Sequence, residues 1–125
     1  MNIGSIIENL NLEKRVSITP DVVKKYVGLN LNVYIEKNYG NHLGISDEEY
    51  RSAGVNILPT KREVISKSDI VLQVSFPEND FLDCFKKGNS LIGTFDSYLT
   101  KENINKLVKI GVNIFSLNLL PRITR

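Results

Sequence analysis

The residues best suited to chemistry are arginines placed toward the two ends of the 125-residue chain. Arg15 closes a charged run, Glu8 to Arg15 (ENLNLEKR), and is followed by apolar Val16. A guanidinium presents a planar fork that matches a carboxylate or a phosphate in two parallel hydrogen bonds. The same charge also fits a structural ion pair with Glu8 or Glu13, and the residues alone leave both readings open. Arg122 and Arg125 stand in the pentapeptide PRITR at the other end, where the residue types alone read as a basic tail.

The remaining candidates are weaker. His42 is the single histidine and has neither an acid nor a nucleophile at a recognisable spacing, so a solvated loop position is expected. Cys84 lies between Phe81 and Phe85 on an expected amphipathic helix, which predicts a buried, inert thiol. Asp47, Glu48 and Glu49 read as residues serving a helix start. No His, Cys or carboxylate residues have metal-ligand spacing, so no metal is expected. The phosphate-binding fingerprint G-x-G-x-x-G is absent; Gly4 stands alone in an apolar run, and Gly40 and Gly44 sit in a loop. The chain by itself is therefore not expected to hold a nicotinamide nucleotide tightly.

The elements that must position these residues alternate strand and helix. Ile3–Ile7 reads as a strand, followed by the charged loop and by Thr19-Pro20-Asp21. Threonine caps a helix, proline fits its first position, and aspartate suits its positive end. That helix runs to about Leu29 and closes at Asn30. Leu31, Val33 and Ile35 alternate with polar or aromatic neighbours, a strand period. Ser46 to Glu49 has the form of a capping box, and so has Thr60 to Glu63. The short helices they open end at Gly54 and about Lys67, with a brief strand, Val55–Leu58, between them. Asp69–Val74 reads as a buried strand and Asn79–Lys87 as a helix stopped by Gly88. Ser90–Phe95 is a strand, Thr100 caps a helix ending at Gly111, and Val112–Leu117 is the last strand. Such alternation predicts an α/β fold: three layers, flavodoxin-like or Rossmann-like, with a mainly parallel sheet and helices on both faces. One domain spanning residues 1–125 is expected. Any ligand should meet the rim at the carboxyl ends of the strands.

Bulk properties exclude several classes. A net charge of +2 is too small to imply nucleic acid or an anionic membrane surface. From Thr100 onward there are five Lys or Arg against Glu102 alone, which reads as a solvated face. One cysteine excludes an internal disulfide. No apolar run approaches the ~20 residues of a membrane span, and MNIGSIIENL lacks the form of a signal peptide. A cytoplasmic protein is expected, without direct membrane contact of its own.

Two stretches carry a resemblance. Ile3-Gly4, Glu8 and then Glu13-Lys14-Arg15-Val16-Ser17-Ile18-Thr19-Pro20 resemble the N-terminal signature shared by alanine dehydrogenases and NAD(P) transhydrogenases. Pro121-Arg122-Ile123-Thr124-Arg125 resembles the P-R-I-S-R motif of the proton-translocating transhydrogenase alpha subunit. The resemblance implies hydride transfer between NAD(H) and NADP(H), coupled to proton movement through membrane subunits. Arg122 matches the motif arginine beside the nicotinamide and would be catalytic; Arg122 and Arg125 would be the cofactor contacts, with Arg15 a substrate or structural anchor. NAD and NADP would be cofactors of the complete enzyme, and a nucleotide-binding domain following Arg125 would complete a truncated or split chain. The partners implied are that domain or chain and the membrane transhydrogenase subunits, which would bring the protein to the membrane face; a homodimer is compatible with it. Alanine dehydrogenases place a catalytic lysine in K-V-K-x-P, where this chain has Gln73-Val74-Ser75-Phe76-Pro77. Their catalytic histidine in T-F-L-H falls on Thr94-Phe95-Asp96-Ser97. Both departures favour the transhydrogenase branch over amino-acid deamination. A non-enzymatic remnant or binding module of the same fold is the alternative expectation, as is another relative of the alanine and saccharopine dehydrogenases.

Overall fold

The computed structural model describes residues 1–8, 10, 14–75, 77, 79–94 and 101–116. Its strands are β1 (Asn2–Ser5), β2 (Asn32–Glu36), β3 (Asn56–Leu58), β4 (Ile70–Leu72), β5 (Ser90–Gly93) and β6 (Asn113–Ser116). The α-helices are α1 (Pro20–Gly28), α2 (Asp47–Ala53), α3 (Lys61–Lys67) and α4 (Lys101–Ile110). All strand pairs are parallel and the order is β3-β2-β1-β4-β5-β6, the order of a Rossmann sheet. The chain winds outward from β1 to β3, then returns through α3 to place β4 on the other side of β1. The switch between β1 and β4 opens a crevice at their carboxyl ends.

Local signals explain most helix limits. Thr19 Oγ1 accepts from Val22 N, Pro20 occupies the first turn, and Asn30 takes the left-handed conformation at φ 65° that ends α1. At α2, Ser46 and Glu49 form the reciprocal box, and Gly54 at φ 112° closes the helix. At α3 the expected box is half formed among the described residues: Thr60 Oγ1 accepts from Glu63 N at 3.2 Å.

Each sheet face has its own core. Ile18, Val23, Tyr50 and Ala53 pack with Ile3, Val33 and Ile35 under α1 and α2. Val64, Ile65, Leu82, Phe85 and Leu107 pack with Val71 and Leu91 under α3 and α4. Each Val, Leu, Ile or Phe among them, fully buried, contributes about 1.5–3 kcal/mol. Gly4 is required where α3 crosses β1, because a Cβ there would collide with the Ser68 hydroxyl and touch Val64.

One expectation is corrected. The helix expected over Asn79–Lys87 is a 3₁₀ helix over Asn79–Cys84, followed by a turn at Lys87 and Gly88. Arg62 Nη2 donates to the Asp80 carbonyl at 2.9 Å, and Lys86 N donates to Asn89 Oδ1 at 2.8 Å. Both contacts draw off groups that an α-helical ladder uses, and Phe85 N turns to Leu82 O instead, a three-residue step. The strand expected over Asp69–Val74 is regular across Ile70–Leu72, and backbone bonds carry its pairing to both expected ends: Asp69 N donates to Asn2 O, Ser90 N to Asp69 O, Gln73 N to Ile92 O and Thr94 N to Val74 O.

Candidate functional site at the strand switch

Glu8 occupies the crevice between β1 and β4, with only 7% of its surface exposed. Its carboxylate accepts from Gln73 Nε2 at 2.9 Å, Val74 N at 2.7 Å, Ser75 N at 3.1 Å and Ser75 Oγ at 2.7 Å. Convergent donors of this kind match an acceptor-only ionised carboxylate. Gln73 reaches back with its other atoms: Oε1 accepts from Ile6 N at 2.7 Å, and Nε2 also donates to Ile6 O at 3.2 Å. One residue further, Ile7 N donates to Glu36 Oε1 at 2.8 Å while Lys61 Nζ donates to Ile7 O at 3.2 Å. Lys61 and Glu36 are themselves paired at 2.8 Å. The chain leaving β1 is thus fastened at three consecutive residues.

The segment Lys14–Ile18 is held by the unit that follows β2. Tyr39, 1% exposed, accepts from Ser17 N at 3.1 Å and from Ile18 N at 3.3 Å. Its hydroxyl also lies 2.7 Å from Ser5 Oγ, which donates to Leu72 O at 2.6 Å. With the serine proton committed to that carbonyl, the tyrosine proton goes to Ser5 Oγ and every group is satisfied. Tyr50 donates to Ile18 O at 2.8 Å, and His42 Nε2 donates to Lys14 O at 2.7 Å. Burial pushes the Tyr39 phenol up to about 12, against the opposing pull of its hydrogen bonds with Ser5, Ile18 and Ser17. Burial likewise raises Tyr50, with the charges around it adding to the effect.

Between this segment and the sheet lies a cleft of about 330 Å³, lined by Arg15–Ser17, Leu72–Val74 and Ile92–Thr94. It opens at the carboxyl ends of β4 and β5, on the rim where the fold binds ligands. Arg15 contributes a cation, Thr94 Oγ1 donates to Val74 O at 2.7 Å, and the rest of the lining is mostly apolar. Ser17 Oγ is buried without a hydrogen-bond partner among the described residues.

Of the expected site residues, Arg15 lies at this cleft and is exposed. Glu13, Asp96, Ser97, Arg122 and Arg125 fall outside the described residues. Ser75 gives both its N–H and its hydroxyl to Glu8, so the position offers no cation. His42 is exposed as expected, yet it is bound to the backbone beside Arg15. Cys84 is partly buried, its Sγ 3.3 Å from Arg62 Nη1; burial pushes the thiol up, which keeps it unreactive. Among the described residues no group of three or more His, Cys, Asp or Glu is arranged to hold a metal ion, and no helix is long and apolar enough to cross a membrane. Sequence reasoning missed Tyr39, Gln73 and the Glu36–Lys61 pair. The one available signal was a lone aromatic in an otherwise polar loop, Lys37-Asn38-Tyr39-Gly40.

The family described as "Alanine dehydrogenase/PNT, N-terminal domain" matches residues 5–125. The NAD(P) transhydrogenase subunit alpha of Cereibacter sphaeroides is 32% identical, over all of this chain and 24% of its own length. The alanine dehydrogenase of Methanococcus maripaludis is 41% identical, over 73% of this chain and 24% of its own. The crystal structure of the transhydrogenase from Sinorhizobium meliloti superposes with a TM-score of 0.89 at 28% identity, covering all of this chain and 37% of that one. The chain thus spans about a quarter of the length of these two curated relatives.

Proposed function

Because the chain belongs to the alanine dehydrogenase/PNT N-terminal domain family, we propose that it is the N-terminal portion of an NAD(P) transhydrogenase alpha subunit. There it forms one wall of the NAD(H) site, for hydride transfer between NAD(H) and NADP(H) coupled to proton translocation. The observation that carries the choice of branch is Ser75, whose N–H and hydroxyl are both spent on Glu8. Deamination in the alanine dehydrogenase pattern calls for a lysine there to polarise a keto group. Transhydrogenation needs positioning of two rings rather than such a cation. The alanine dehydrogenase reading is favoured by the 41% identity to the Methanococcus enzyme and disfavoured by the missing ammonium.

The nucleotide is held by a partner domain or chain that carries the glycine fingerprint, since none of these 125 residues forms one. Arg122 approaches the nicotinamide and Arg125 supports the cofactor, at a site completed by that partner and by membrane subunits. Arg15 is the anion anchor of the cleft, which holds a carboxylate or phosphate oxygen against an apolar lining.

The test joins this chain to a transhydrogenase nucleotide-binding domain and follows hydride transfer by stopped flow. Transfer between NADH and an NADP-site acceptor is expected, and Arg122→Ala should slow it strongly with an unchanged melting temperature. Normal transfer in that variant overturns the placement of Arg122. Absent transfer in the joined wild type overturns the transhydrogenase reading.

A further inference from the structure

The segment that carries Arg15 belongs to no helix or strand between Lys14 and Thr19. A bidentate contact costs less when the backbone carrying the arginine is already fixed, because less conformational entropy remains to be lost on binding. Three side chains from the unit after β2 supply the constraint, and they do so through backbone groups. Tyr39 receives the N–H groups of Ser17 and Ile18 from inside the protein. Tyr50 binds the Ile18 carbonyl, and its approach depends on Gly40, where a Cβ would strike the Tyr50 ring and Ile45. His42 binds the Lys14 carbonyl from the exposed side. Arg15 therefore lies between an inner anchor at Ser17–Ile18 and an outer one at Lys14.

We infer that Tyr39 and His42 are positioning residues for Arg15, fixing the segment at both ends so that its guanidinium is set at the cleft for an oxyanion. This rests on the reading of Arg15 as the anion anchor. The contributions of the two residues differ in kind. Tyr39 ties the segment to the sheet through Ser5, whose hydroxyl bonds to the Leu72 carbonyl in the cleft lining, so the arginine and the floor are referenced to one buried group. His42 adds a single peripheral bond at the residue next to Arg15. It requires a proton on Nε2, which both the Nε2–H tautomer and the imidazolium supply.

The experiment is an acetate titration of the whole chain followed by NMR, with the Arg15 Nε–H signal and the backbone amides as readouts. Arg15→Ala should abolish the saturable shift. Tyr39→Phe and His42→Ala should weaken acetate binding about tenfold and collapse the Arg15 Nε–H signal toward its free-chain position. His42→Gln, which keeps a donor for Lys14 O, should restore both at an unchanged melting temperature. Amide exchange at Ser17 and Ile18 should rise in Tyr39→Phe alone. Acetate binding that survives Arg15→Ala, or is absent from the wild type, sinks the anchor reading; the Arg15 signal and amide exchange then still decide the positioning. Binding lost in Arg15→Ala but unchanged in His42→Ala, with the Arg15 signal in place, overturns the positioning role and leaves the anchor standing. Should Tyr39→Phe fail to fold, the three-way comparison of His42, its Ala variant and its Gln variant decides alone.

Discussion

Tyr39 and Tyr50 meet edge to face, ring centroids 5.7 Å apart at 77°, and their hydroxyls take opposite ends of one residue. Tyr39 accepts the Ile18 N–H and Tyr50 donates to the Ile18 carbonyl. Ile18 itself is fully buried, so its backbone is satisfied entirely from within. The contact joins the loop after β2, the helix α2 and the segment bearing Arg15 into one block.

The buried phenol makes stability fall in alkali. Tyr39 is raised from 10 to about 12, so the folded state holds its proton more tightly than the unfolded chain does. The stabilisation is complete below the unfolded value and is lost as pH rises through the folded one, between about pH 10 and 12. Its size is on the order of 2–3 kcal/mol. Urea melts across this window should show the loss in the wild type and a smaller one in Tyr39→Phe; an identical slope in both proteins refutes the assignment to Tyr39.

Glu8 should be replaceable by neither Gln nor Ala without cost. Glutamine keeps the shape but turns one acceptor into a donor, which faces either the Gln73 and Val74 donors or the two donors of Ser75. A loss on the order of 2–3 kcal/mol is expected, with faster amide exchange at Val74 and Ser75. Unaltered exchange at those amides would show that the carboxylate does not hold them.

Two glycines should respond in opposite senses. Gly4→Ala forces α3 off β1 and should destabilise by about 1–3 kcal/mol. Gly28→Ala, in α1 with open space around the position, should stabilise by up to about 1 kcal/mol. Thermal melts of the pair check both at once, and equal shifts would contradict the packing at Gly4.

Joined to a nucleotide-binding domain, the chain should not oxidise NADH in the presence of pyruvate and ammonia. Ser75 gives its hydroxyl to Glu8 where an ammonium is needed, and Asp96 and Ser97 stand where the histidine is expected. Pyruvate-dependent turnover would show that another group supplies that charge.

Caps and alternation in the sequence were enough to mark the helices. Thr19, Ser46 and Thr60 each bond the N–H group three residues on, a local relation that depends on nothing distant. The 3₁₀ helix was misread because Phe81, Leu82, Cys84 and Phe85 satisfy a helical apolar pattern, while the deciding contacts come from Arg62 and Asn89. Strand order was out of reach for the same reason: β1 pairs with β4 only through residues far along the chain. At the site, Arg15 was visible by its residue type and its position after the charged run. Tyr39 was not, because its importance lies in meeting Ser5, Ser17 and Ile18 at one hydroxyl. A buried network is written in three dimensions, and its members carry no mark in one.

The central place of β1 has a consequence for synthesis on the ribosome. Ile3 pairs with Val33 on one side but with Ile70 on the other, so the earliest strand waits longest for its second neighbour. Until β4 emerges, β1 exposes an open edge, and Glu8 lacks the Val74 and Ser75 amides that receive its charge. The nascent chain can close β1, β2 and β3 early, while the half bearing the cleft forms only when β4 docks. Parallel pairing across such separations is slow. The interval before β4 docks is therefore when the emerging chain is most open to capture by chaperones or to pairing with a neighbouring copy.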